Sequence, residues 1–300
     1  MSPGVRAALV VDSSACLPPA LGESPGVAVV PMTLEVDGRQ LRDGIDITVE
    51  EFFARLRRPG RPPSSSSPAP GAYLQAFRSA PAREIVCLTI PERYSMMQRS
   101  AALAVELLRQ ESPGRTVHIV DTGTAAGGYT LVAEAAAAAC AAGCTAAAVV
   151  AHVRRVAAGA QVIGALETLR YLVRSGRVPA IAGLGGDLLQ VRPVFALTGA
   201  EVRRLAVVRG TRRALREVAA QLRDLVPPGT AVRLGVFSGA SPATTDGLAA
   251  AVRAAFGAVP VERLTLTPVI ALHTGPGLLG AAAVPDLPPP DPDAPVEAVA

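Results

Sequence analysis

The sequence predicts an α/β protein: an N-terminal three-layer α/β/α domain on a parallel sheet, then a two-layer α+β domain with a mixed sheet. Three observations carry this. Short β-branched runs alternate with helical segments over the first 160 residues, the pattern of a parallel sheet covered on both faces. Polar residues recur just past those runs, at Asp12-Ser13, Ser95 and Asp121-Thr122. In parallel sheets that C-terminal edge is where ligands bind. From Gln161 the alternation gives way to paired strand-like runs around Thr198-Gly199, a hairpin signature.

Each element has a local reason. Val5–Val11 is a β-branched run closed by Asp12-Ser13-Ser14, and Val27–Leu34 reads as one second strand ending before the Asp37-Gly38 turn. Thr48 with Glu51 three residues on forms a capping box, opening a helix to about Arg57. Residues 59–71 alternate proline, glycine and serine and are read as a stretch without regular structure, either a linker or an ordered functional loop. A helix over about Ala72–Ser79 and a strand over Ile85–Ile90 follow. Ser95 is placed as the cap of a helix ending near Gln110. Val117–Val120 is the fourth strand, and the alanine tract after Gly127-Gly128 reads as one long helix.

In the second half, strands are expected at Val162–Leu166, Gln190–Leu197, Glu201–Val208, Ala231–Phe237 and Glu262–Leu266. Helices are expected at Glu167–Arg174, Thr211–Leu225 and Ala243–Phe256. The domains are set at 1–160 and 161–284, with a disordered proline- and aspartate-rich tail at 285–300.

Composition narrows the function. Half of the 300 residues are hydrophobic and 18% are charged, which is globular rather than disordered. All 29 basic residues are arginine, and the formal net charge is +4. Aromatics are 3% with no tryptophan, which argues against stacking on nucleic acid. The four cysteines contain no CxxC pair, so they are read as reduced, buried thiols without a structural metal. The N-terminus does not read as a signal peptide, and no run of about 20 strongly apolar residues is present. A cytoplasmic location is expected, with room for transient contact with a membrane surface.

Hydrolase signatures such as Gly-x-Ser-x-Gly and HExxH are missing, and a phosphate loop needs a lysine that the sequence lacks. Four polar segments are candidates for one shared task. They are Ser64–Ser67, Ser95 ahead of a helix, Gly176-Arg177, and His273-Thr274-Gly275-Pro276-Gly277. Each also has an ordinary reading, respectively a linker, a cap, a helix end and a turn between strands. A cluster at Arg203, Arg204, Arg209, Arg212, Arg213 and Arg216 is equally a solvated face or a docking surface.

In order and spacing these segments resemble the DegV family of bacterial fatty-acid-binding proteins, from Val10 to about Gly280. Val11-Asp12-Ser13-Ser14-Ala15 resembles its opening Asp-Ser motif. Val30-Pro31-Met32, Asp37-Gly38 and Asp43-Gly44 resemble its second strand and loop. Ser65-Ser66-Ser67-Pro68-Ala69-Pro70 takes the place of its Thr-Ser-Gln-Pro-Ser motif, and Ser95 that of the serine in its Ser-Gly-Thr helix start. Val120-Asp121-Thr122, Leu169-Arg170-Tyr171-Leu172 with Gly176-Arg177, Val208-Arg209-Gly210 and His273-Thr274-Gly275-Pro276-Gly277 match further stretches.

The resemblance implies an acyl chain in the first domain with its carboxylate near the domain junction. It also implies a non-enzymatic role: the protein presents the fatty acid to a separate fatty acid kinase, whose acyl phosphate feeds phospholipid synthesis. No cofactor is implied beyond the bound fatty acid. On that pattern Ser65, Ser66, Ser95, Met96, His273, Thr274 and Gly275 contact the fatty acid, and Arg177 and Arg209 face the kinase or the acyl phosphate. Met96 and Met97 stand where the family has Gly-Thr, so Met96 is expected to narrow the site or line the channel. Two other readings stay open. One is a phosphotransferase related to dihydroxyacetone kinases, and the other is a diverged interaction module without lipid.

Overall fold

The computed structural model describes residues 5–177 and 191–292. Gln190 and residues 293–300, to which the sequence reading assigned a strand start and a tail, lie outside the described residues.

Apolar β-branched runs make a four-stranded parallel sheet. Its strands are β1 (Ala7–Asp12), β2 (Val27–Val30), β6 (Glu84–Thr89) and β7 (Thr116–Asp121), in the order β2-β1-β6-β7. β1 is buried at every position, as a strand covered on both faces must be. Helices α3 (Pro70–Ser79) and α4 (Met97–Glu111) cover one face, with Tyr73, Phe77, Met97 and Leu108 in the core. Helices α5 (Gly127–Ala141) and α6 (Ala146–Ala158) cover the other. The alanine tract is thus two helices. Gly143 adopts φ +83° and Thr145 accepts the N–H of Ala148, which ends one helix and caps the next. Between β1 and β2 lie a 3-10 turn at Ser13–Ala15 and the short α1 (Pro19–Gly22).

The expected strand Val27–Leu34 is divided at Pro31-Met32. Its second part is β3 (Thr33–Val36), which leaves the parallel sheet and pairs antiparallel with β4 (Arg39–Arg42) and β5 (Ser64–Ser66). The serine run is therefore regular structure after all. Pro63 and Pro68 flank the strand, so no proline blocks its hydrogen bonds, and β3 offers a free edge. Helix α2 (Val49–Leu56) carries the capping box expected at Thr48 and Glu51.

The second half builds a six-stranded mixed sheet in the order β10-β9-β8-β13-β11-β12. The strands are β8 (Gln161–Ala165), β9 (Val191–Thr198), β10 (Glu201–Arg209), β11 (Val232–Ser238), β12 (Val261–Arg263) and β13 (Leu279–Pro285). Helices α8 (Thr211–Leu225) and α9 (Pro242–Phe256) cover one face. Helix α7 is shorter than expected, at Arg170–Ser175. Val269–Leu272 forms helix α10 (Pro268–Thr274), so His273 sits on a helix end and not in a turn between strands. α10 packs Val269, Ala271 and Leu272 into the core of the first half, although it follows the expected boundary by more than 100 residues.

The expected disordered tail begins too early. Asp286 N–H donates to Ala231 O, Cys144 Sγ–H to Pro290 O and Arg6 to Pro292 O, so residues 285–292 run along the fold. Prolines there cannot donate, but their carbonyls accept. Among the described residues no helix is long and apolar enough to cross a membrane.

α5 is the element that joins the halves. It is buried almost all round, between β1 on one side and β11 and β13 on the other. Close approach requires small residues. A Cβ on Gly127 would lie 2.4 Å from the buried Phe237 ring. Gly127→Ala is therefore expected to lower stability by about 1–3 kcal/mol through overpacking, despite alanine's better helix propensity. Urea unfolding measures this, and an unchanged midpoint shows that the ring has room to move.

Candidate functional site

Parallel pairing brings the C-terminal ends of β1, β6 and β7 to one edge, so Asp12–Ser14, Ile90–Ser95 and Thr122–Ala126 lie together. Facing that edge are α7, α10 and the β9–β10 hairpin. Between them lie two apolar cavities of about 200 and 130 Å³ that share Ala125, Ala126, Leu172, Leu197, Val202 and Thr274 as walls. The larger also touches Ser14, Met32, Ile90, Tyr94, Ser95, Arg177, Val269, Ile270 and His273. The smaller runs on to Val162, Leu166, Phe195, Phe237 and Leu278. The resemblance led to an apolar chain held in residues 1–160. These cavities lie instead at the junction of the halves, with much of their lining from the second.

Two of the polar residues lining the larger cavity, Ser95 and His273, are each backed by a serine of the β5 segment. Ser65 Oγ lies 3.3 Å from His273 Nε2, and Ser67 Oγ lies 2.8 Å from Ser95 Oγ. Strand alternation explains which serines take part. On β5 Ser65 faces inward, while Ser64 and Ser66 face out. Ser66 is thus turned from the cluster, and Ser67, just past the strand, supplies the hydroxyl. The sequence held Ser67 within the candidate segment Ser64–Ser67 but gave Ser66 the contact, because with no strand assigned there it had no alternation to count. Ser95 is not the cap of α4 either. Met96 holds that position with no side-chain hydrogen bond, which leaves the Ser95 hydroxyl to Ser67.

The other expected site residues sort as follows. Met96 is 53% exposed, whereas Met97 is fully buried in the core, so the neighbour and not Met96 points inward. Thr274 lines both cavities, but its hydroxyl donates to Ile270 O at 2.8 Å. Gly275, at φ +77°, ends α10 and packs against Tyr171. A Cβ there would meet that ring at 2.4 Å, so close packing requires glycine, and Gly275 is in neither cavity wall. Arg177 is half-buried in the cavity wall, with Nη1 donating to Ser175 O at 2.9 Å. Arg209 is exposed at the end of β10 and is not part of either cavity wall.

Residues that sequence reasoning did not single out close the roof. The hairpin tip at Ala200 accepts from Tyr94 OH at 2.6 Å and from Arg93 Nη1 at 3.0 Å, and its N–H donates to Gly123 O at 2.7 Å. This holds Leu197 and Val202 over the cavity. No local pattern could have pointed to Tyr94, because its partner lies 106 residues away and is a backbone carbonyl.

Electrostatics at this end favour an anion. Burial, helped by the charges of Arg177 and Arg174, pushes His273 down to about 3, so the ring is neutral. Its Nδ1 is buried without a hydrogen-bond partner. Burial also lowers the Arg177 guanidinium from its usual value, although it stays charged.

The family model of uncharacterised DegV proteins matches residues 6–286. The chain belongs to the DegV family. A DegV domain-containing protein of Streptomyces coelicolor is 32% identical over 280 residues, covering 91% of this chain and 96% of that one. The structure of a fatty-acid-binding DegV protein from Thermus thermophilus superposes with a TM-score of 0.85 at 31% identity, covering 93% and 99% of the two chains. The fatty acid kinase B3 protein of Streptococcus pneumoniae, loaded with linoleic acid, shares the fold with a TM-score of 0.81 at 20% identity, covering 93% and 99%.

The neutral histidine of this DegV chain has a thermodynamic consequence. A folded pKa of about 3 lies below the unfolded value near 6.5, so the unfolded chain binds more protons between the two. The contribution of His273 is complete above pH 6.5 and is lost as pH falls. Relative to His273→Gln, wild-type stability should drop by about 1.4 kcal/mol per pH unit below 6. Unfolding of both proteins at pH 6, 5 and 4 measures this; parallel profiles would mean that the ring stays ordinary in the fold.

Proposed function

We propose that this DegV protein binds one long-chain fatty acid, with its acyl chain in the two joined apolar cavities and its carboxylate at the Ser65, Ser67, Ser95, His273 and Arg177 end. The observation that carries the reading is an apolar cavity lined by Ser95, Arg177 and His273, with Ser67 and Ser65 in hydrogen-bond contact behind the first and the last of these. An isolated buried carboxylate is costly unless hydrogen-bonded. The Ser67–Ser95 contact uses one of its two hydroxyl protons, which leaves the other for a ligand. If His273 donates from Nε2 to Ser65, the Ser65 proton is free as well. Arg177 adds a nearby positive charge. A 16-carbon chain brings about 0.8 kcal/mol per buried CH₂, on the order of 10 kcal/mol before the costs of binding.

The Thermus thermophilus relative supports this ligand class, since its structure is described as fatty acid binding. On the motif resemblance, the bound carboxylate is presented to a separate fatty acid kinase. The role of this chain is then carriage, and chemistry belongs to the kinase.

Organic extraction of the purified protein, followed by mass spectrometry beside native mass spectrometry of the intact complex, tests the reading. A stoichiometric long-chain fatty acid is expected. A protein that is empty and takes up neither palmitate nor oleate overturns it. Ser95→Ala should weaken fatty acid affinity about tenfold, the worth of one hydrogen bond to a charged group. Titration with a fluorescent fatty acid reads this, and unchanged affinity would move the anchor to Ser65, His273 and Arg177.

A further inference from the structure

The Asp12 carboxyl group is completely buried, and no cation stands among the groups that act on it. Oδ1 accepts both the N–H of Ser14, at 2.8 Å, and the Ser14 hydroxyl. Oδ2 lies 3.1 Å from Tyr129 Oη, which is itself 2.8 Å from Leu88 O. Counting protons decides between the two forms of the acid. Tyr129 has one hydroxyl proton and two acceptors. With Asp12 ionised, Tyr129 can donate to only one of them, although both lie within hydrogen-bond distance. With a proton on Oδ2, Asp12 donates to Tyr129 and Tyr129 donates to Leu88 O, so both contacts are made at once.

We propose that Asp12 is a positioning residue carried in this arrangement as the neutral acid, and that occupation of the cavity by a fatty acid carboxylate favours its protonation. The second half of this statement rests on the fatty acid reading above; the first does not. The link between the two is Ser14, which Asp12 holds through both donors and which lines the larger cavity. An ionised Asp12 would place a second negative charge behind Ser14 in the cavity wall.

Among the described residues no basic side chain acts on the group from the neighbouring elements. Tyr129 on α5, Tyr73 on α3, Cys87 on β6 and Cys16 after the turn are the titratable groups coupled to Asp12. Burial raises all four, so they are neutral over the working range. Asp43 acts on Cys16 and bonds to Ser13, and burial raises that carboxyl too. β2 offers only valine and alanine. Burial pushes Asp12 itself up to about 6, above its unfolded value. Its stabilising contribution is therefore complete below about pH 4 and is lost as pH rises through the folded value.

Asp12→Asn is the test, because an amide NH₂ donates to Tyr129 as the neutral acid does. In urea unfolding from pH 4.5 to 7.5, wild type should lose stability relative to the variant as pH rises. Palmitate affinity should fall about threefold to tenfold more in wild type than in Asp12→Asn between pH 5.5 and 7.5. Parallel stability profiles overturn the neutral acid, and parallel affinity profiles overturn its coupling to the ligand. Should neither protein bind palmitate, the fatty acid reading fails together with the coupling, and the stability comparison still decides the protonation of Asp12. Should the variant not fold, ¹³C titration of the Asp12 carboxyl in wild type decides it, an ordinary value near 4 being the overturning result.

Discussion

Helix α5 has water on almost none of its sides, and the cavity exists because of it. A helix between two sheets must be apolar all round and thin, which explains alanine where leucine would be the usual core choice. Its first two residues are glycines, and a Cβ on Gly128 would lie 2.6 Å from Val162 Cγ2 of β8. That approach brings β8, β9 and β11 up to the C-terminal edge of the parallel sheet. The larger side chains nearby, Phe195 and Phe237, line the smaller cavity from the second sheet. Thinness of the helix and the space beside it are therefore one packing solution.

The polar end shows the complementary balance. Interiors rarely leave polar atoms unpaired, yet the buried His273 Nδ1 and one proton of the Ser67–Ser95 pair have no partner among the described residues. The ring is kept neutral by its surroundings and not by a partner acid, since burial and two arginines act in the same direction. A site built this way carries its positive charge on Arg177 and its hydrogen-bonding capacity on groups without charge. It can meet a carboxylate without needing a second anion to neutralise it when empty.

Much of the fold was legible because it depends on local pattern. β1, β6 and β7 are apolar runs, α2 has its capping box, and the hairpin at Thr198-Gly199 has its turn residues. What was not legible depends on partners distant in sequence. Ser64–Ser66 has no strand signal of its own and becomes a strand because β3 offers an edge. Ser67 replaces Ser66, and Met97 replaces Met96 as the inward methionine, because one residue of phase decides which side chain faces in. Gly275 was singled out for ligand contact, whereas what its missing Cβ accommodates is the Tyr171 ring, from a helix about 100 residues earlier. The site was thus readable as a set of segments, while its individual contacts required the tertiary fold.

The two buried groups at this edge respond to pH in opposite senses, and that constrains how stability varies near neutrality. His273 is depressed, so its contribution fades as pH falls below about 6.5; Asp12 is raised, so its contribution fades as pH rises through about 6. Between pH 4 and 6 the two slopes have opposite sign and largely cancel. Flat overall stability in that window would then conceal two ionisations, and only paired comparison with the single variants resolves them. The cancellation has a structural basis: burial disfavours the charged form of both groups, but that form is the protonated one for His273 and the deprotonated one for Asp12. Burying one base and one acid beside the same cavity keeps both groups neutral below about pH 6 and above about pH 3, and leaves Arg177 as the charge that a ligand would meet in that window.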